Sequence, residues 1–153
     1  MTKAIYFILL FGVSVGFQSC CKTDCDDPKT DNQPTPYNLV IPSPLPPMDI
    51  PADNPLTEEG VSLGRMLFHE PLLSGDESQS CASCHSQTAG FTDTIRFSTG
   101  IDGLQGGRNA MVAFNLGWSP TLFWDGRASS LEDQALSPVV NPIEMHESWA
   151  NAV

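Results

Sequence analysis

The chain opens on an apolar run: Lys3 supplies a positive start, Ala4 to Phe17 are almost wholly hydrophobic, and Cys20 follows the small residue Ser19. That order predicts a signal peptide over residues 1–19, and the run is shorter than the roughly 20 apolar residues that a membrane-spanning helix needs. Residues 22–55 then hold nine of the thirteen prolines together with Asp and Asn. Such a composition predicts an extended Pro/Asp-rich tether over 20–55 with little core of its own. Helical spacing begins after Leu56. In "TEEGVSLGRMLFHEP", Leu63 and Leu67 are four apart, as are Gly64 and Phe68; Thr57 is placed to cap, Glu58 and Glu59 complement the positive helix end, and Pro71 marks the stop. Ser80 is placed to cap a short helix around Cys81. "TGIDGLQGG", residues 99–107, holds four glycines and predicts a loop; it lacks G-x-G-x-x-G spacing and no hydrophobic strand leads into it. Helical spacing resumes in "RNAMVAFNL" and in "SSLEDQAL", where Ser129 and Glu132 predict a capping box and Pro138 the end of the helix. "MHESWANAV" predicts the start of another helix. No alternating pattern of strand length and no internal repeat emerges, so the body is expected to be mostly α with long loops.

Composition narrows the partners. The 153 residues carry seven basic against eighteen acidic side chains, a net charge of −11, which repels phosphate and speaks against nucleic acid. Five cysteines in an exported chain would ordinarily suggest disulfides. Here Cys20, Cys21 and Cys25 crowd the processing site, leaving only Cys81 and Cys84 in the body, too close together to staple a domain. Phe17, three residues before Cys20, resembles the start of a bacterial lipobox, with Cys20 as the lipidated residue. Gln18 stands where a small residue is usual, and Cys21 and a plain cleavable signal are the alternatives. Either outcome predicts a periplasmic or cell-envelope location, with the membrane reached only through a lipid anchor.

The chemistry concentrates in "SQSCASCHSQTAG". C-x-x-C-H at Cys81, Cys84 and His85 in an exported chain reads as covalent attachment of a c-type haem. Two thiols one helical turn apart share a face and each can add to a haem vinyl group, while the next residue places an imidazole under the iron. Rival readings lack parts. Structural zinc needs four ligands, and the only other histidines are His69 and His146. A thioredoxin-like dithiol wants a βαβ setting. One haem c still admits two functions: an electron carrier, which fills both axial positions, or an enzyme, which leaves one open. Met66, Met111 and Met145 are candidate second ligands, and each also has an ordinary core reading.

"LGRMLFHEPLLS", "GGRNAMVAFNL" and "FWDGRASSLEDQALSPVVNPIEM", together with the haem motif, resemble the N-terminal, peroxide-reacting half of bacterial di-haem cytochrome c peroxidases and the related methylamine-dehydrogenase-maturing di-haem enzymes, from Leu63 to Met145. The resemblance implies a cytochrome c-like haem domain over 56–153 that reduces hydrogen peroxide to water with electrons from a small cytochrome c or cupredoxin. It also implies a second haem domain C-terminal to this sequence. By carry-over, Glu144 of "NPIEM" matches the distal acid that shuttles peroxide protons, Gln134 of "DQA" its companion, Trp124 of "FWDGR" the aromatic between two haems, and Asn109 of "GRN" a residue that helps bind calcium between the domains. On pattern alone each has a plainer reading: a solvated carboxylate, an exposed helix residue, core and a helix cap. Arg65, Arg108 and Arg127 are candidates to neutralise haem propionates. Many family members close the distal side with a histidine in the glycine-rich loop, and that position here is Ile101, which cannot ligate iron. His69 stands where an aromatic is usual and is assigned no role. The alternatives are a mono-haem electron carrier and a di-haem oxidase acting on a protein substrate.

Overall fold

The computed structural model describes residues 33–152; the apolar run, Cys20 and Cys21 lie outside them. One compact unit extends from Pro34 onward. Its helices are α1 (Glu58–Phe68), α2 (Cys81–Cys84), α3 (Leu131–Val140) and α4 (Trp149–Ala152), with 3₁₀ turns at Pro71–Leu73, Gln87–Ala89 and Leu116–Trp118. Among the described residues there are no strands, only isolated bridges such as Ser86 with Thr92 and Leu122 with Ala128. The unit is therefore mostly α, held together by long loops.

α1 forms where its spacing predicts. Thr57 accepts a hydrogen bond from the Gly60 N–H at 3.0 Å, Glu58 and Glu59 lie in the first turn, and the helix stops with His69 as its C-cap, two residues before Pro71. Val61, Gly64 and Phe68 face a cleft beside His85, whereas Leu63, Met66 and Leu67 on the other side are 51%, 61% and 42% exposed. The proline-rich stretch carries no helix or strand, yet it is tied down. Tyr37 N–H donates to Leu56 O at 3.0 Å, Trp118 Nε1 donates to Pro46 O at 3.0 Å, and Asn54 Nδ2 donates to Glu132 Oε1 at 2.8 Å.

That last bond corrects one expectation about α3. Glu132 is engaged by Asn54, and the cap is Ser130, whose side chain accepts from Asp133 N–H at 3.1 Å, not Ser129. Nor does Pro138 end the helix. It sits inside α3, where its missing N–H costs one backbone bond, and the following turn closes on its own carbonyl, which accepts from Asn141 and Met145 at 3.3 Å each.

"RNAMVAFNL" departs further, since most of the segment is irregular and only Leu116 enters a 3₁₀ turn. Its backbone groups bond across the fold instead of within a helix. Ala113 N–H donates to Phe91 O at 2.9 Å, Ala110 N–H to Asp93 Oδ2 at 3.3 Å, and Asn115 is left-handed at φ 56°. These tertiary bonds outweigh a short helical periodicity.

The hydrophobic core among the described residues is small: Leu122, Ala128, Val139 and Met145. Close by, three segments meet. Gly75 N–H donates to Met145 O at 2.8 Å, Ile101 N–H donates to Glu144 O at 3.1 Å, and a Cβ on Gly100 would run into the carbonyls of Ile143 and Glu144.

Candidate functional site

α2 is a single turn, with Cys81 at its first position and Cys84 at its last, so the two thiols lie on one face. Ser80 N–H donates to Ser83 Oγ at 3.1 Å, and His85 N–H closes the turn on Cys81 O at 2.9 Å. Both thiols are free. Burial pushes the Cys81 thiol up; burial first, then the negative charges of Asp93 and Glu144 and the neighbouring Cys81, pushes up Cys84. They stay as S–H. A reactive redox dithiol depends on the opposite shift, whereas an S–H is what adds across a vinyl group.

The residues after α2 orient the histidine. Gly90 and Phe91 are left-handed, at φ 71° and 58°, and Phe91 N–H bonds back to Ser86 O at 2.8 Å. The bend brings Phe91 O to 3.2 Å from His85 Nδ1. A carbonyl can only accept, so Nδ1 carries the proton and Nε2 keeps its lone pair. The Phe68 ring packs on the imidazole at 6.4 Å between centroids, and a cleft of about 410 Å³ opens between α1, His85 and Phe91. Two thiols on one face and an imidazole with a free Nε2 are a donor set that fits haem c.

Glu144 lies on the bend after α3. Its carboxyl is pushed up from the ordinary value by burial, opposed by the hydrogen bond from Asn141 and by the charge of Arg127. It is therefore no solvated carboxylate. Its charge is felt at Cys84, so the acid lies in the neighbourhood of the C-x-x-C-H motif. Ile101 is bonded through its backbone to this same acid.

Trp124 and Asn109 come together elsewhere: the indole N–H donates to Asn109 O at 3.0 Å. Trp124 is 58% exposed, hence not core, and Asn109 is on no helix, hence no cap. Arg96, Phe97 and Arg108 share their cleft. Among the described residues no cluster of three or more His, Cys, Asp or Glu is placed to hold a metal ion. Gln134 is half-buried on α3. Arg65 lines the His85 cleft, while Arg127 is paired with Asp125 at 2.9 Å and stacked on Phe123. Of the methionines, Met145 is buried at 5% exposure and Met66 is at the surface; Met111 is half-buried. His69 stacks edge-on against Phe68.

Two participants have no signal in residue type alone. One is the Phe91 carbonyl. The other is Asn141, whose Nδ2 donates to Glu144 Oε1 at 2.8 Å; an Asn-Pro pair three residues before a glutamate is the only sequence hint.

Residues 58–153 match the family model described as di-haem cytochrome c peroxidase. The chain is 46% identical over 101 residues to the cytochrome c peroxidase Ccp of Escherichia coli, covering 65% of this chain and 22% of that protein. It is 43% identical over 98 residues to the methylamine utilization protein MauG of Methylorubrum extorquens, covering 64% and 28%. The chain thus spans about a quarter of the length of these relatives. Among solved structures, a MauG-like protein associated with microbial copper homeostasis superposes with a TM-score of 0.70 at 42% identity, covering 75% of this chain and 34% of that one. The di-haem peroxidase BthA of Burkholderia thailandensis superposes with a TM-score of 0.58 at 30% identity, over 62% and 28%.

Proposed function

The chain belongs to the di-haem cytochrome c peroxidase family, and from that premise we propose that it is the haem domain that reduces hydrogen peroxide to water. Cys81 and Cys84 would hold a haem by thioethers, each thiol adding its sulfur to one carbon of a vinyl group and its hydrogen to the other. His85 Nε2 would hold the iron, with the ring oriented through Nδ1–H by Phe91 O. A haem held there supplies the redox chemistry that opens the O–O bond.

The surrounding residues manage protons. Reduction of peroxide takes two electrons and two protons and gives two waters, and cleavage requires a proton to move from one peroxide oxygen to the departing one. Glu144 accepts it and gives it back. A carboxyl raised by desolvation is better matched to both roles than an ordinary one, which is the weaker base. Gln134, which does not titrate, orients the peroxide or the acid by hydrogen bonding. Ile101, bonded through its N–H to Glu144 O, has no side chain able to ligate a metal, so it would not compete with peroxide. Trp124, with an exposed indole, conveys electrons. The sequence holds one C-x-x-C-H, so a di-haem relay needs a haem carried outside these residues. The donor is a small cytochrome c or cupredoxin. Export and a lipid anchor at Cys20 are supported by the N-terminal pattern.

The observation that carries the reading is Glu144, desolvated and within electrostatic reach of Cys84. In the haem-loaded full-length protein, Glu144→Gln is expected to slow peroxide cleavage by about two to four orders of magnitude in stopped-flow measurements. Unchanged kinetics would remove Glu144 from the mechanism.

A further inference from the structure

Asn141 stands at the bend between α3 and the Glu144 segment, and all its polar groups are engaged there. Its backbone N–H donates to Pro138 O at 3.3 Å, and its carbonyl accepts from the N–H groups of Glu144 and His146 at 3.0 Å each. Its side-chain Oδ1 accepts from Ile143 N–H at 3.0 Å, and its Nδ2 donates to Glu144 Oε1 at 2.8 Å. These partners decide the amide's orientation, because a backbone N–H can only donate and an ionised carboxylate can only accept.

We propose that Asn141 is a positioning residue for proton transfer: its amide N–H holds Glu144 by Oε1, so that Oε2 is the oxygen that exchanges the proton with peroxide. This rests on reading Glu144 as the acid–base group. An oxygen already accepting an N–H bond is the less basic of the pair, so protonation is directed to the other. Asparagine does not titrate, so the hold persists whether Glu144 is charged or neutral. The Glu144 backbone is gripped separately, its carbonyl by Ile101 N–H at 3.1 Å. Arg127 adds a favourable charge, but its guanidinium is bonded to Asp125. Among the described residues, Asn141 is the side chain that hydrogen-bonds this carboxyl.

The two halves of the amide do separable jobs. Oδ1 shapes the turn through Ile143, and Nδ2 holds the acid. Asn141→Asp keeps an acceptor for the Ile143 N–H, loses the donor and sets a second carboxylate beside Glu144. The experiment compares haem-loaded full-length wild type, Asn141→Asp, Glu144→Gln and the double variant. Asn141→Asp is expected to slow peroxide cleavage about 10- to 100-fold in the wild-type background, the scale of a misplaced catalytic group, and to add nothing in the Glu144→Gln background. The infrared carbonyl band of protonated Glu144, identified by its absence in Glu144→Gln, is expected to shift and to titrate at higher pH in Asn141→Asp. Equal slowing in both backgrounds, or a Glu144 band that neither shifts nor titrates differently, overturns the proposal and makes Asn141 a turn former only. Wild-type rates in Glu144→Gln would instead overturn the acid–base reading beneath it.

Discussion

Glu144 shows how far one residue's chemistry depends on its surroundings. Its carboxyl is raised chiefly by burial, so in the folded protein the charged form is disfavoured relative to the unfolded chain. The sign follows from linkage: below the unfolded pKa both states carry the proton and Glu144 is neutral to stability, and as pH rises toward the folded pKa the fold loses stability by having to ionise a buried acid. Glutamine cannot ionise. Glu144→Gln is therefore expected to raise the melting temperature at neutral pH and to leave it nearly unchanged at acid pH, as read by calorimetry across that range. A uniform shift at every pH would assign the effect to packing. His85 makes the complementary point, since a half-buried ring becomes a directed ligand through a carbonyl six residues on, at 3.2 Å.

Between elements, the surroundings of Glu144 are built by loops pressed together. Gly100 lies against the carbonyls of Ile143 and Glu144, with no room for a Cβ, while Gly107 in the same loop has nothing within 4 Å of the corresponding position. Gly100→Ala is expected to cost about 1–3 kcal/mol, the range of overpacking, and to lower peroxide turnover because the displaced carbonyls are those of Ile143 and Glu144 itself. Gly107→Ala is expected to change neither by much. Chemical denaturation of the two haem-loaded variants makes the comparison, and equal behaviour would mean that the contact yields. A second tie, His146 Nδ1 with Asp102 Oδ2 at 2.7 Å, joins the same loops, but both side chains are half exposed, where such a pair contributes at most about 1 kcal/mol.

For the whole molecule, the decisive feature is how little apolar surface the described residues bury among themselves. Leu63, Met66, Leu67, Leu136 and Val140 remain exposed around a core of four hydrophobic residues, which suits a fold completed by a prosthetic group. Replacing both Cys81 and Cys84 with serine is expected to abolish haem stain after denaturing electrophoresis and to flatten the thermal transition; retained covalent stain would refute the anchor. The short turn carrying the thiols and α1 were legible from the sequence, because both depend on separations of one turn or less: thiols three apart, a histidine next door, Thr57 capping Gly60. Ser130 replacing Ser129 as the cap and the loss of the helix expected at "RNAMVAFNL" were not legible, because Asn54, Phe91 and Asp93 compete for the same groups from distant parts of the chain. Likewise, residue type and spacing by themselves put two thiols and an imidazole on one short turn at Cys81, Cys84 and His85. Only the tertiary structure decided that Glu144 is a raised acid held by Asn141, because desolvation is set by everything packed around a group, and no local pattern encodes that.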